Sequence, residues 1–201
     1  MGRLSRSVAA VGLAGLLVGG CSRSDGRELP PPRPDQTLPP ATTSTLAPSL
    51  EGMSVAVPGV SADGFLPTEH LCTGAAASPA VALGGLPADA ADVVIVVRDD
   101  VSTEPIWVVT GIDPLVSSFG PGGVPEGARE WPVGAEGLPG WEAPCPTPGE
   151  QRAYTLRALA LPERLEPDDA ASGAEVAAQA EERASAQADV TVRATVPSAG
   201  G

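Results

Sequence analysis

Hydrophobic and polar positions change their period several times along this chain, and the changes mark its elements. Residues 93–112, VVIVVRDDVSTEPIWVVTGI, hold two apolar, β-branched runs, Val93 to Val97 and Ile106 to Ile112. Short apolar runs of this kind, bounded by turn signals, predict buried strands. The connection between them carries Arg98, Asp99, Asp100, Glu104 and Pro105, which sets charge beside buried strand ends. Upstream, Met53 to Val60 alternates weakly and reaches Pro58-Gly59, predicting an edge strand and a turn. Gly64 to Pro87 reads as loops around one short strand near Ala80 to Leu83. Downstream, glycine and proline dominate Gly120 to Gly149, a long loop region punctuated by Trp131 and Trp141. Tyr154, Leu156 and Ala158 alternate with Thr155 and Arg157, so Ala153 to Leu161 is expected as a strand. Ser172 precedes Glu175 at capping-box spacing and opens a helix through an Ala-, Glu- and Gln-rich run to about Ala186. Asp189 to Val196 is a closing strand, and no internal repeat is visible.

The first fifty residues follow a different pattern. Arg3 and Arg6 precede an apolar run from Val8 to Val18 and small residues before Cys21, the layout of an export signal. That run is too short to span a bilayer comfortably. Val18-Gly19-Gly20-Cys21 resembles the lipobox of bacterial lipoproteins, which implies diacylation of the Cys21 thiol and cleavage just before it. Two or three acyl chains hold a protein on a membrane durably. The membrane is therefore an expected partner through Cys21, with the protein on the outer face; the alternative is an ordinary secretory leader with an incidental cysteine. Ser22 to Leu50 is rich in Pro, Ser and Thr and lacks an apolar period, so it is expected to be a disordered tether. Its span lies between roughly 30 and 90 Å, the flexible and extended limits. The expected division is a leader over 1–20, the acylated cysteine and tether over 21–50, one folded domain over 51–197, and a tail over 198–201.

Composition sharpens the fold class and excludes some partners. The chain has 201 residues, 24 of them Gly and 23 Pro. Such usage favours many turns and short strands over long helices. With 25 Asp and Glu against 12 Arg and no Lys, the net charge is −13, and removing Arg3 and Arg6 with the leader takes it to −15 (−13 − 2). A surface of that sign repels phosphate backbones, so nucleic acid is excluded as a partner.

The motifs, taken in order, resemble the phosphatidylethanolamine-binding protein family, including its bacterial Raf-kinase-inhibitor-like members, from roughly Gly64 to Val196. The family's Cys-Asp-Gly and Ser-Pro-Pro segments correspond to Cys72-Thr73-Gly74 and Ser78-Pro79, and its Gly-x-Pro turn to Gly85-Leu86-Pro87. Its Asp-Pro-Asp-Ala-Pro loop and His-Trp-Val-Val strand correspond to Asp99-Asp100-Val101-Ser102-Thr103 and Ile106-Trp107-Val108-Val109. Its Gly-Tyr-x-Gly-Pro-Cys-Pro segment corresponds to Gly140-Trp141-Glu142-Ala143-Pro144-Cys145-Pro146. Its Pro-Gly and His-Arg-Tyr correspond to Pro148-Gly149 followed by Glu150 to Tyr154. The resemblance implies a mainly β fold, an antiparallel two-sheet β-sandwich with a C-terminal helix, and a small anion-binding pocket at one end of the sandwich.

This chain departs from the family at the pocket. Thr73 replaces an Asp, Ile106 replaces the strand His, and the Asp-loop loses both prolines. No His or Tyr of the third segment is expected at the site, which leaves Arg152 as its one cation. Two readings follow. A pocket that still binds a ligand would use Asp99, Arg152, Thr73 and Ile106, taking a small molecule or lipid headgroup, with Trp131 and Trp141 lining a cleft. Otherwise Asp99 is a satisfied strand-end carboxylate with Arg152 as its partner, and the domain is a protein-interaction or scaffold module with a filled pocket.

Catalysis is the least favoured class. A hydrolase would have to use His70, the only histidine. Asp99 and Asp100 cannot act as a carboxylate pair if they are neighbours in a strand, because neighbours point to opposite faces. No cofactor is called for, and His70, Cys72 and Cys145 are too few for a convincing metal site. With Cys21 acylated, Cys72 and Cys145 remain, and an oxidising location favours a disulfide between them; mere proximity near the pocket is the other possibility.

Overall fold

The structure, a computed structural model, describes residues 52–198. The expected leader, Cys21 and the whole of the tether lie outside the described residues. In chain order the elements are β1 (Ser54–Ala56), β2 (Val81–Gly84), β3 (Asp92–Asp99), β4 (Pro105–Ile112), β5 (Ser118–Phe119), β6 (Arg129–Glu130), β7 (Pro132–Val133), β8 (Leu138–Pro139), β9 (Gln151–Leu161), α1 (Gly173–Arg183) and β10 (Ala186–Thr195). Five strands form the main sheet in the order β10-β9-β3-β4-β6, and β1-β2-β5 form a smaller one. All of their pairings are antiparallel. The fold class is the expected one, mainly β with two antiparallel sheets and a C-terminal helix.

The unbroken apolar run of β3 dictates the layering. Successive strand side chains point to opposite faces. Val93, Ile95 and Val97 join a core with Val81 and Leu83 of the small sheet. Val94 and Val96 face the other way and join Val176, Ala177 and Ala180 of α1. All five valines and isoleucines of this run are buried. Each contributes about 1.5 to 3 kcal/mol of apolar burial, so β3 is the spine of both cores.

The helix begins as predicted. Glu175 N–H donates to Ser172 Oγ at 3.3 Å, and Ser172 N–H donates to Glu175 Oε2 at 2.8 Å, closing the capping box. It ends three residues earlier than expected, at Arg183. The reason lies in β9: Ser185 N–H donates to the Ala160 carbonyl at 2.9 Å, and Ala186 pairs opposite Ala160. Long-range pairing takes these residues from the helix, and β10 accordingly starts at Ala186 instead of Asp189. The region from Gly120 to Gly149, expected as loop, contains β6, β7 and β8, and β7 and β8 pair as a hairpin. The weak alternation at the start of the domain forms only β1, at the edge of the small sheet.

Candidate functional site

Two acidic residues of the 99–104 connection differ sharply in placement. Asp99 ends β3 and is 7 % exposed, whereas Asp100 lies in the turn and is exposed. In register, Asp99 stands opposite Tyr154 of β9. Arg152, two residues before Tyr154, falls on the same face of β9. Its Nη2 reaches Asp99 Oδ2 at 3.2 Å. The other carboxylate oxygen, Oδ1, accepts from Val101 N–H at 2.8 Å and Ser102 N–H at 3.4 Å. Thr103 N–H donates to the Asp99 carbonyl at 2.8 Å, and Arg98 Nη1 donates to the Thr103 carbonyl at 3.0 Å. Asp99 thus closes the connection on itself and binds the one cation expected at the site. Arg152 Nε is buried without a hydrogen-bond partner, 3.9 Å from Glu150 Oε1.

Tyr154, opposite Asp99 in register, is buried, 2 % exposed, in the core between the sheets and is not among the residues lining either hollow. Burial pushes its phenol up first, and the Asp99 carboxylate adds to that shift.

Beside this pair opens a cleft of about 550 Å³. The 99–104 connection and β4 supply Asp99, Glu104, Pro105 and Ile106; the β7 end supplies Pro132, Val133 and Gly134. Ser172 and Ala174 close it at the start of α1. Gly173 allows the helix to stand so near, because a Cβ there would lie 2.7 Å from the Pro132 carbonyl oxygen and 2.8 Å from Val133 Cγ1. A second hollow of about 440 Å³ shares Val133, Ala135 and Glu142 with the first and adds Leu138 and Trp141. Glu142 is anchored through its backbone N–H, which donates to the Ile106 carbonyl at 2.9 Å. Sequence reasoning missed Glu142 and Glu104 as groove residues.

Other candidates separate. Ile106 lines the cleft. Thr73 is exposed in the turn after Leu71 and is not among the residues lining either hollow. Trp131 is buried in the helix-side core, where its Nε1 donates to Thr110 Oγ1 at 2.8 Å, so of the two expected tryptophans only Trp141 faces the groove. Trp141 packs edge-on against Trp107, ring centroids 5.7 Å apart at 86°, and its Nε1 donates to the His70 carbonyl at 3.0 Å. His70 is itself buried; Nδ1 is 2.9 Å from the Ala77 carbonyl oxygen and Nε2 is 3.5 Å from Glu69 Oε1. Cys72 and Cys145 form a disulfide, and Cys72 N–H donates to the Pro144 carbonyl at 3.2 Å, which ties the 72–74 turn to the segment carrying Trp141 and Glu142. Among the described residues no group of three or more His, Cys, Asp or Glu is placed to hold a metal ion.

A small antiparallel sheet packed on a larger one, with a cleft at the ends of the central strands, defines a β-sandwich of the ligand-pocket type. The family model for phosphatidylethanolamine-binding protein matches residues 57–195, and the chain belongs to that family. Among solved structures it is similar to E. coli YbcL, described as a member of the mammalian PEBP family. There the TM-score is 0.65 and the identity 22%, with 73% of this chain and 99% of that one covered. It is also similar to CT736, a phosphatidylethanolamine-binding protein homologue from Chlamydia trachomatis. That match has a TM-score of 0.62 and 21% identity, covering 71% of this chain and 96% of the other. At these identities the likeness is one of fold. No curated protein matches the chain.

Proposed function

We propose that this protein is a lipid-anchored, extracytoplasmic binding module of the phosphatidylethanolamine-binding type, with a strand-end pocket remodelled away from anions. The observation that carries the reading is the Asp99 to Arg152 pair. The cation that would attract phosphate or carboxylate is 3.2 Å from Asp99, and Ile106 stands where the family places a donor. An anion entering the cleft meets Asp99, Glu104 and Glu142. Of the charge-assisted donors that anion recognition uses, the site keeps Arg152, and Asp99 already engages its guanidinium. A cleft of this size and largely apolar lining suits a small neutral or apolar-bodied ligand. The export layout of residues 1–21 and the Cys72 to Cys145 disulfide support a location outside the reducing cytoplasm.

Native mass spectrometry of protein from its host should reveal a retained small molecule. Titration with phosphate and phosphoethanolamine should give no response at millimolar ligand. A phosphate response would overturn the remodelled pocket. No retained species and no small-molecule binding of any kind would replace the reading with a scaffold domain. A Cys21→Ala variant should lose acyl labelling and leave the membrane fraction; persistence there would overturn the anchor.

A further inference from the structure

We propose that the Cys72 to Cys145 disulfide is a thiol-accessible clasp on the groove wall, opened in the folded protein by a dithiol reductant; only its effect on binding rests on the reading of the cleft as a binding site. Both cysteines are exposed and neither lies in a strand or helix, so the bridge joins two surface segments and is sealed in neither core. Their neighbours in the chain are placed otherwise, since Leu71 is 2 % exposed and Pro144 and Pro146 are buried. Each segment is thus anchored beside its cysteine while the cysteine itself meets solvent. Exchange requires a thiolate to reach a bridge sulfur, and exposed bridges are the labile ones.

The two segments differ in what else holds them. Residues 69–77 close on themselves: Gly74 N–H donates to the Leu71 carbonyl at 2.9 Å, Ala77 N–H donates to the Glu69 carbonyl at 3.0 Å, and His70 Nδ1 lies 2.9 Å from the Ala77 carbonyl oxygen. Residues 141–145 are tied outward instead. Trp141 Nε1 donates to the His70 carbonyl at 3.0 Å, and the Pro144 carbonyl accepts from Cys72 N–H at 3.2 Å. Both of these links end on the segment that the disulfide fixes, and Glu142 N–H donates elsewhere, to the Ile106 carbonyl at 2.9 Å. Trp141 and Glu142 line the second hollow, and Glu142 lines the first as well. The bridge therefore braces a groove wall that takes its frame from other segments. In the opening step one thiolate of the dithiol attacks a bridge sulfur, forms a mixed disulfide and expels the other cysteine. The second thiol then displaces the first cysteine, so two electrons and two protons pass to Cys72 and Cys145 and the dithiol leaves as a disulfide. The wall keeps its Ile106 link and loses its covalent tie to residues 69–77.

The test uses the full chain, dithiothreitol as the dithiol, alkylation to trap thiols located by peptide mass, and N-phenyl-1-naphthylamine as a neutral apolar probe of the groove. Reduction of Cys72 and Cys145 should run at a rate that is flat in urea below the unfolding transition, because an exposed bridge needs no global opening. The reduced protein should keep its far-ultraviolet circular dichroism and a cooperative urea transition. Its Glu142 amide should exchange about tenfold faster than in the oxidised protein. Naphthylamine should bind it about fivefold more weakly, because a loosened wall must be ordered again on binding, and reoxidation should restore both. A reduction rate that climbs with urea from the first addition would mean that the bridge opens only with the whole domain, and would overturn the clasp. So would a reduced protein that is unfolded, or one whose Glu142 amide stays as protected as before. Equal naphthylamine binding by the two forms would overturn control of the groove while leaving a binding pocket. Binding by neither form, with the Glu142 amide freed on reduction, would support the clasp and remove the binding module itself.

Discussion

One strand carries two buried aspartates, one at each end, and they serve different ends of the molecule. Asp92 opens β3 at 1 % exposure and Asp99 closes it at 7 %. Asp92 holds two backbone donors from distant segments, Gly111 N–H at 2.9 Å and Leu165 N–H at 3.0 Å. Asp99 holds two amides of its own turn and an arginine from β9. The first latches three segments together inside the protein, and the second shapes a loop on the wall of an open groove. A buried carboxylate is therefore not in itself the mark of a site. Here the difference lies in whether space adjoins it.

The largest effect should come from the Asp99 end. The disulfide closes a loop between residues 73 positions apart, which on the chain-entropy account stabilises by about 4 kcal/mol. A Cys72→Ala, Cys145→Ala double variant should lose much of that in urea unfolding. It should also break the comparison locally. Amide protection should fall in the 72–74 turn and around Glu142, while Gly111 and Leu165, bound to Asp92, keep theirs. Equal loss of protection at both ends would mean that the two ends are one cooperative unit.

Next in size are the aspartates themselves. Asp92→Ala leaves two N–H donors without an acceptor and should destabilise by about 3 kcal/mol. Asp99→Ala exposes a half-open loop and a partly solvated arginine, and should cost about 1 to 2 kcal/mol. Acid sharpens the contrast. Burial holds the Asp92 carboxyl above its ordinary value of 3.8, against the pull of Leu165 N–H, Gly111 N–H and Arg164. A raised folded pKa means that the native state holds the proton more tightly. This contribution to stability is fully present below 3.8 and is lost as pH rises through the raised value. The stability of the wild type relative to Asp92→Asn should therefore fall as pH rises through that window. A flat difference would show that Asp92 titrates alike in both states.

The spine of the fold was legible and much of the site was not, for one physical reason. Val93 to Val97 announces a doubly covered strand because burial on both faces is written in adjacent residues. The start of α1 was equally local, since Ser172 and Glu175 satisfy each other across three positions. Its end was not, because Ala186 belongs to a pairing with Ala160. At the site, Asp99 and Arg152 could be named as ligand-binding or mutually paired, and they stand 3.2 Å apart with Asp99 on the cleft wall. Glu142 escaped notice because its place is set by a backbone hydrogen bond to the Ile106 carbonyl, a pairing between segments far apart in the chain. Thr73 was proposed by correspondence with a family motif, and its exposed turn puts it outside the groove lining.

The smallest expected effect completes the comparison with the opposite sign. Glu175 is fully exposed, and its bonds to the Ser172 backbone and side chain hold its carboxyl below the ordinary value of 4.5. A lowered folded pKa gives a contribution that is present above 4.5 and lost as pH falls through the folded value. The capping box should therefore loosen in acid, under the conditions in which Asp92 favours the native state most. Because Ser172 and Ala174 border the cleft, this fraying starts on the groove wall. Amide exchange in the first turn of α1 should speed up as pH falls below that window, after correction for intrinsic exchange, and Glu175→Gln should remove the dependence. Unchanged first-turn protection in acid would show that packing of Gly173 against Pro132 and Val133, and not the cap, holds the helix to the cleft.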